Sequence, residues 1–123
     1  MKGTDFFRSF RHAARGFSYA FHMERNFRVQ CIIAVLVLIA LFLVPLAIWE
    51  RVILLSMIMT VLVLELLNTG IERLIDLLKP RLDEYVKDVK DVMAAAVLLA
   101  SIFAVIIGVV IFWPHFMRLS LPV

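Results

Sequence analysis

Cysteine and histidine are scarce in this chain: Cys31 is the only thiol, and His12, His22 and His115 are the only imidazoles. A lone thiol inside an apolar segment excludes a disulfide framework and a CxxC metal site, and reads as a small buried hydrophobe. The three histidines have no partner at metal-ligand spacing. There is no Walker-type G-x-x-x-x-G-K-S/T, no G-x-G-x-x-G and no HRD or DFG set, so a nucleotide has to be held without a known soluble phosphate loop. No serine sits in a G-x-S-x-G elbow, which argues against a hydrolase. Charge is also sparse, at 19% of residues against 63% hydrophobic. An ordinary soluble domain, with an apolar fraction of roughly 45 to 50%, is excluded.

Mean hydropathy of +0.99 places the chain among polytopic membrane proteins. A net charge of +3 does not point to nucleic acid, because the basic residues flank apolar runs instead of gathering on a soluble fold. The N-terminus shows no short apolar region with a cleavage site, so the first long apolar run is expected to stay as a signal anchor. The expected architecture is all-α, a single membrane domain over 1–123.

Residues 4–24 form an amphipathic surface helix in this reading. Phe6, Phe10, Phe17 and Phe21 fall within about 60° of one another on a helical wheel, with Arg8, Arg11, His12 and Arg15 opposite. The phenylalanines suit the acyl boundary, and the arginines suit anionic headgroups or polyphosphate. Three transmembrane helices follow at 29–49, 52–76 and 92–113, each long enough for a hydrocarbon core of about 30 Å. Trp49, Glu50 and Arg51 are expected to form an interfacial turn, Pro80 to end or kink the second span, and the charge-dense 79–91 stretch to be a loop. Six Lys and Arg in the N-terminal segment and five in 73–90, against one each in the 50s turn and the tail, place the N-terminus and that loop in the cytoplasm. The expected location is the inner, cytoplasmic membrane, multi-pass.

The informative feature lies in LELLNTGIERLID. Glu65, Asn68, Glu72 and Asp76, at spacings of 3, 7 and 11, fall within an arc of about 80° on one helical face. If the helix enters near Val52, Glu65 lies roughly 20 Å in. A carboxylate at such depth costs at least about 2.5 kcal/mol, which marks the stripe as a functional site. Glu24 and Glu72 are of the right type for a hard cation such as Mg²⁺, with a nucleotide phosphate completing the shell. Lys90 would neutralise phosphate, Asn68 would orient an oxygen or a water, and desolvated Glu65 suits a general base acting on a lipid-borne hydroxyl. Spacing alone also admits a polar seam gluing helices, or an ion or proton path as in a small coupled transport subunit. Against a path, only Ser56 and Thr60 offer polar stepping stones between residues 52 and 64.

ELLNTGIERLID resembles the E-x-x-N-S/T-A/G-I-E signature of the small prokaryotic diacylglycerol kinases. VKDVKDVMAAAVLL is similar to the family's block at the start of its third span, and MERNFR after an Ala14-Arg15-Gly16 turn follows the same pattern. ERNFR is more typical of the undecaprenol kinase branch. The resemblance covers nearly the whole chain and implies a homotrimeric, integral-membrane lipid kinase using Mg²⁺ and ATP. It implies Glu65 as catalytic base, Glu24 and Glu72 as metal ligands, and Asn68, Asp76, Lys90 and Asp91 around the nucleotide and phosphates. Arg8 and His12 fall to the nucleotide more weakly, and Arg28 and Arg15 join Glu65 on the lipid substrate. The acceptor is diacylglycerol or undecaprenol. Gly70, where a typical member has alanine, is expected to ease close helix packing. RLDEY replaces a segment that usually carries histidine, which bears on adenine contacts. A trimer also follows from physics, since three spans are few to enclose four polar side chains.

Overall fold

Where hydrocarbon replaces water, each segment has to satisfy its own backbone polar groups, and a chain this apolar does so as helices. The computed structural model describes residues 3–78 and 83–121. Among them are four helices: α1 (Gly3–Met23), α2 (Arg25–Leu43), α3 (Ile48–Leu78) and α4 (Asp83–Ser120). By length and composition, α2, α3 and most of α4 are each able to cross a membrane. Among the described residues α3 is the hub, packing against all three others, and α1 also packs on α2.

Glu24 alone separates α1 from α2. Its backbone is extended, with φ −111° and ψ 112°, yet its N–H still donates to Ala20 O at 2.8 Å. The elbow is locked from inside and outside. Phe27 and Ala20 are fully buried, with Phe17 edge-on to Phe27 at 5.0 Å, while Arg28 Nη1 donates to the carbonyls of Phe21 at 3.1 Å and His22 at 2.8 Å. Those carbonyls lie in the last turn of α1, where no further intrahelical donor is available. Arg28, expected at the lipid substrate, is engaged in this cap.

The next joint differs from expectation. The first apolar helix ends at Leu43, not near Trp49, because Pro45 disfavours helical geometry in the residue before it; Val44 is extended at φ −93° and ψ 135°. The chain reverses within Val44–Leu46, where Leu46 N–H donates to Val44 O at 2.8 Å. Trp49, Glu50 and Arg51 are therefore not an interfacial turn but the first turn of α3. Ala47 N–H donates to Glu50 Oε2 at 2.9 Å, the returning half of a capping box. His115 Nε2, from α4, lies 3.2 Å from the same oxygen, the two side chains being 12% and 15% exposed respectively. Leu46 completes a small core with Leu41, Leu54 and Ile111 beside this clasp. Glu50→Ala strips both groups of their acceptor. The expected result is a lower unfolding midpoint in detergent with turnover unchanged below it.

The 79–91 stretch is not a loop throughout, since α4 already runs from Asp83. Val86, Lys90, Met93, Val97 and Ala100, spaced by 4, 3, 4 and 3, form an unbroken partly buried face, and among the described residues α4 packs most extensively against α3. The same side of α4 stays partly buried as far as His115, and the helix runs on through Pro114, which lacks the N–H that Val110 O would accept, to Ser120. The expected break at Pro80 lies outside the described residues. A Cβ built on Gly70 meets nothing within 4 Å, so this glycine mediates no close helix approach in the subunit; it borders an open space between α1 and α3.

Candidate functional site

Burial falls steadily along the polar stripe of α3. Glu65 is only 4% exposed, Asn68 and Glu72 are half-buried, and Asp76 is exposed. Leu54, Val61 and Thr69 are buried on the same side of the helix, so Glu65 continues an apolar stripe. The Thr69 hydroxyl donates to the Glu65 carbonyl at 3.0 Å, a local bond that satisfies a buried donor without using the carboxyl. One turn on, Asn68 Nδ2 donates to Glu72 Oε1 at 3.4 Å.

The elbow brings Glu24 to this stripe. Its carboxyl lies close enough to that of Glu72 for the two charges to repel, and Glu65 feels the charges of both. Burial, followed by repulsion from Glu72, raises the Glu24 pKa above the ordinary carboxylate value, while the Arg73 charge works the other way. Two carboxylates held together in this way form a donor set suited to a hard divalent cation. Among the described residues no group of three His, Cys, Asp or Glu converges, so water and ligand oxygens would supply the rest of the shell.

Lys90 reaches across from α4 to Asp76, Nζ to Oδ1 at 3.5 Å, with the side chains 36% and 52% exposed. A pair this long and this wet is worth at most about 1 kcal/mol, so Lys90 is easily transferred to a stronger anion. Asp91 is exposed on the next residue. Arg8, His12 and Arg15 are exposed on α1. At 1.5 Å per residue, Arg8 stands about 24 Å and His12 about 18 Å along the helix from Glu24, so the fold does not gather them with the carboxylates.

Two residues that sequence reasoning passed over belong to this region. Arg73, counted only toward orientation, stacks over the Tyr19 ring of α1 with its guanidinium carbon 5.0 Å from the centroid. Its position directly after Glu72 was the available signal. Tyr19 carried none, because the wheel of α1 drew attention to phenylalanine and arginine.

Beyond the stripe toward the turn, α2, α3 and α4 enclose an apolar cavity of about 410 Å³. Its polar features are Gln30 and Ser101, bonded to each other at 3.4 Å from Gln30 Nε2 to Ser101 Oγ. Ser56 and Thr60 donate to Val52 O and Ser56 O within α3, both at 2.8 Å. Both hydroxyl protons are thus committed to the helix's own carbonyls, which gives a polar path past Glu65 no support. The arrangement can place a cation and phosphates at the wet end and an apolar molecule's hydroxyl at the buried carboxylate.

A family model described as prokaryotic diacylglycerol kinase matches residues 11–112. The chain is 42% identical over 109 residues to the undecaprenol kinase of Bacillus subtilis, covering 89% of each protein. It is 41% identical over 112 residues to a diacylglycerol kinase of Synechocystis, covering 90% of this chain and 64% of that one. To the diacylglycerol kinase of Escherichia coli it is 32% identical over 102 residues, covering 83% and 84%.

Proposed function

Since the chain belongs to the prokaryotic diacylglycerol kinase family and is a lipid kinase, we propose that it phosphorylates a membrane lipid alcohol from ATP at the cytoplasmic face of the inner membrane. The observation that carries this reading is Glu65, a carboxylate 4% exposed on an apolar helix with a second pair, Glu24 and Glu72, one to two turns nearer water. Glu65 accepts the proton of the lipid hydroxyl as that oxygen attacks the γ-phosphorus, and the bond from the γ-phosphorus to the β,γ-bridging oxygen breaks to release ADP. Glu24 and Glu72 would hold Mg²⁺, which when bound neutralises charge on the polyphosphate. Lys90, leaving Asp76, donates to phosphate oxygens as a point charge, and Asn68 orients the Glu72 carboxyl. Asp76 and Asp91 border the nucleotide. The apolar cavity between α2, α3 and α4 takes hydrocarbon of the acceptor.

The α1 helix lies in the interface, its exposed Phe6 and Phe10 in the acyl region and its arginines among headgroups. Three copies assemble, a neighbouring subunit covering the open side of the stripe and bringing Arg8 and His12 of its own α1 toward the nucleotide.

Identities of 42% to an undecaprenol kinase and 41% to a diacylglycerol kinase support the acceptor as a lipid alcohol of either kind. Transfer of γ-labelled phosphate from ATP to each lipid, offered separately to detergent-purified protein, decides between them. A labelled lipid phosphate from one acceptor is expected. ATP-independent ion flux through liposomes, with no labelled lipid from either, would overturn the kinase reading.

A further inference from the structure

Resting on that kinase reading, we propose that Arg73 is a phosphate-binding residue of the nucleotide site, held on the face of Tyr19 until a triphosphate takes its place. Arg73 follows Glu72 directly and stands about 100° farther round α3, on the side that meets α1. Its charge is felt at Glu24. Yet among the described residues it makes no ion pair and no hydrogen bond; its contact is the Tyr19 ring at 5.0 Å.

That combination is unusual for an arginine beside two carboxylates. A guanidinium carries five N–H donors in a rigid fork matched to carboxylate and phosphate oxygens. Here the ring attracts the cation while using none of those donors, and among the described residues Arg73 forms no ion pair with Glu24 or Glu72. Arg73 also borders a space of about 520 Å³ between α1 and α3, where Gly16, Ala20 and Gly70 supply little side-chain bulk. A Cβ at Gly16 or Gly70 would meet nothing within 4 Å, so the fork has room to leave the ring.

The exchange is favourable by kind. An exposed cation–ring contact is weak, whereas a bidentate guanidinium–phosphate contact is charge-assisted and about twice as strong as a neutral hydrogen bond. Lys90 approaches from α4, where it reaches Asp76 one turn beyond Glu72, and Arg73 from the flank of α3 that faces α1. Phosphates anchored by a cation at Glu24 and Glu72 would meet Lys90 from α4 and Arg73 from α3. Lys90 acts as a point charge, while Arg73 fixes orientation.

Calorimetric titration of the full-length detergent-purified protein with Mg²⁺ and the β,γ-imido analogue of ATP, without lipid, isolates binding from turnover. AMP, measured by displacement, is the phosphate-poor control. Arg73→Gln is expected to weaken the triphosphate analogue roughly tenfold and leave AMP unchanged, with Arg73→Lys between it and the parent protein. Tyr19→Leu removes the ring but keeps the fork, and should hold triphosphate affinity within about twofold. Equal affinity of Arg73→Gln and the parent overturns the inference and leaves the kinase reading intact. So does a loss in Tyr19→Leu as large as in Arg73→Gln, because the stack would then be a purely structural brace. Failure of the parent protein to bind the analogue at all would overturn both readings.

Discussion

Glu65→Gln is expected to lower phosphate transfer by about 10²- to 10⁴-fold, the usual worth of a positioned general base, while the protein stays folded and able to bind ATP. The substitution keeps size and hydrogen-bonding capacity and removes the ability to accept a proton. Glu65 sits at 4% exposure among Leu54, Val61 and Thr69 on the buried stripe of α3, where burial of an amide costs less than burial of a carboxylate. The variant should therefore unfold no more easily than the parent. A loss of kcat at unchanged nucleotide affinity and unchanged thermal midpoint separates chemistry from folding. Turnover near that of the parent in detergent would remove Glu65 from the mechanism, and loss of the fold would make it a structural residue.

The second large effect comes from Glu24→Gln, and it has opposite signs in two measurements. Burial and the neighbouring Glu72 push the Glu24 pKa up, so the ionised form of Glu24 is held against both desolvation and repulsion. Removing that charge should raise the thermal midpoint of metal-free protein. The same change deletes half of the carboxylate pair and should weaken Mg²⁺ or Mn²⁺ binding on the order of 100-fold or more, with activity falling alike. Mn²⁺ binding followed by electron paramagnetic resonance reads the metal directly. In the parent protein, metal affinity should also rise with pH as Glu24 loses its proton. A variant that is less stable without metal yet binds it equally well would contradict the assignment of Glu24 as a ligand.

Much of the architecture was legible because hydrocarbon imposes a simple rule: long uncharged runs become helices, and a charge inside one stands out. That is why the apolar helices and the stripe from Glu65 to Asp76 can be read from residue order. Boundaries were less legible. Pro45 was visible, but its strongest effect falls on Val44, one residue earlier, so the helix ends well before the last apolar residue of the run. Conversely, Pro114 looks like a terminator and is not one, because the face of α4 toward α3 holds the helix together through it. The charged 83–91 segment reads as loop by composition, whereas the spacing of Val86, Lys90 and Met93 was already helical. Pairings between elements were least legible. The Arg73–Tyr19 stack and the Glu50–His115 clasp join residues 54 and 65 positions apart, and no local pattern announces either. Arg28 illustrates the same point, since a cation next to a lipid-facing helix looks like a headgroup ligand until the chain folds back and offers it two carbonyls.

The single-residue elbow at Glu24 makes α1 a lever. At 1.5 Å per residue its 21 residues extend about 30 Å from that fulcrum, so a 10° rotation there carries the tip through about 5 Å. The carboxylate that meets Glu72 sits on the fulcrum itself, where the same rotation moves it least. With the elbow locked by Phe27, Ala20 and Arg28, any small deflection of the arm is greatest at Phe6 and Phe10 and least at the carboxylate that meets Glu72, so the polar stripe is the part of the molecule that such bending disturbs least.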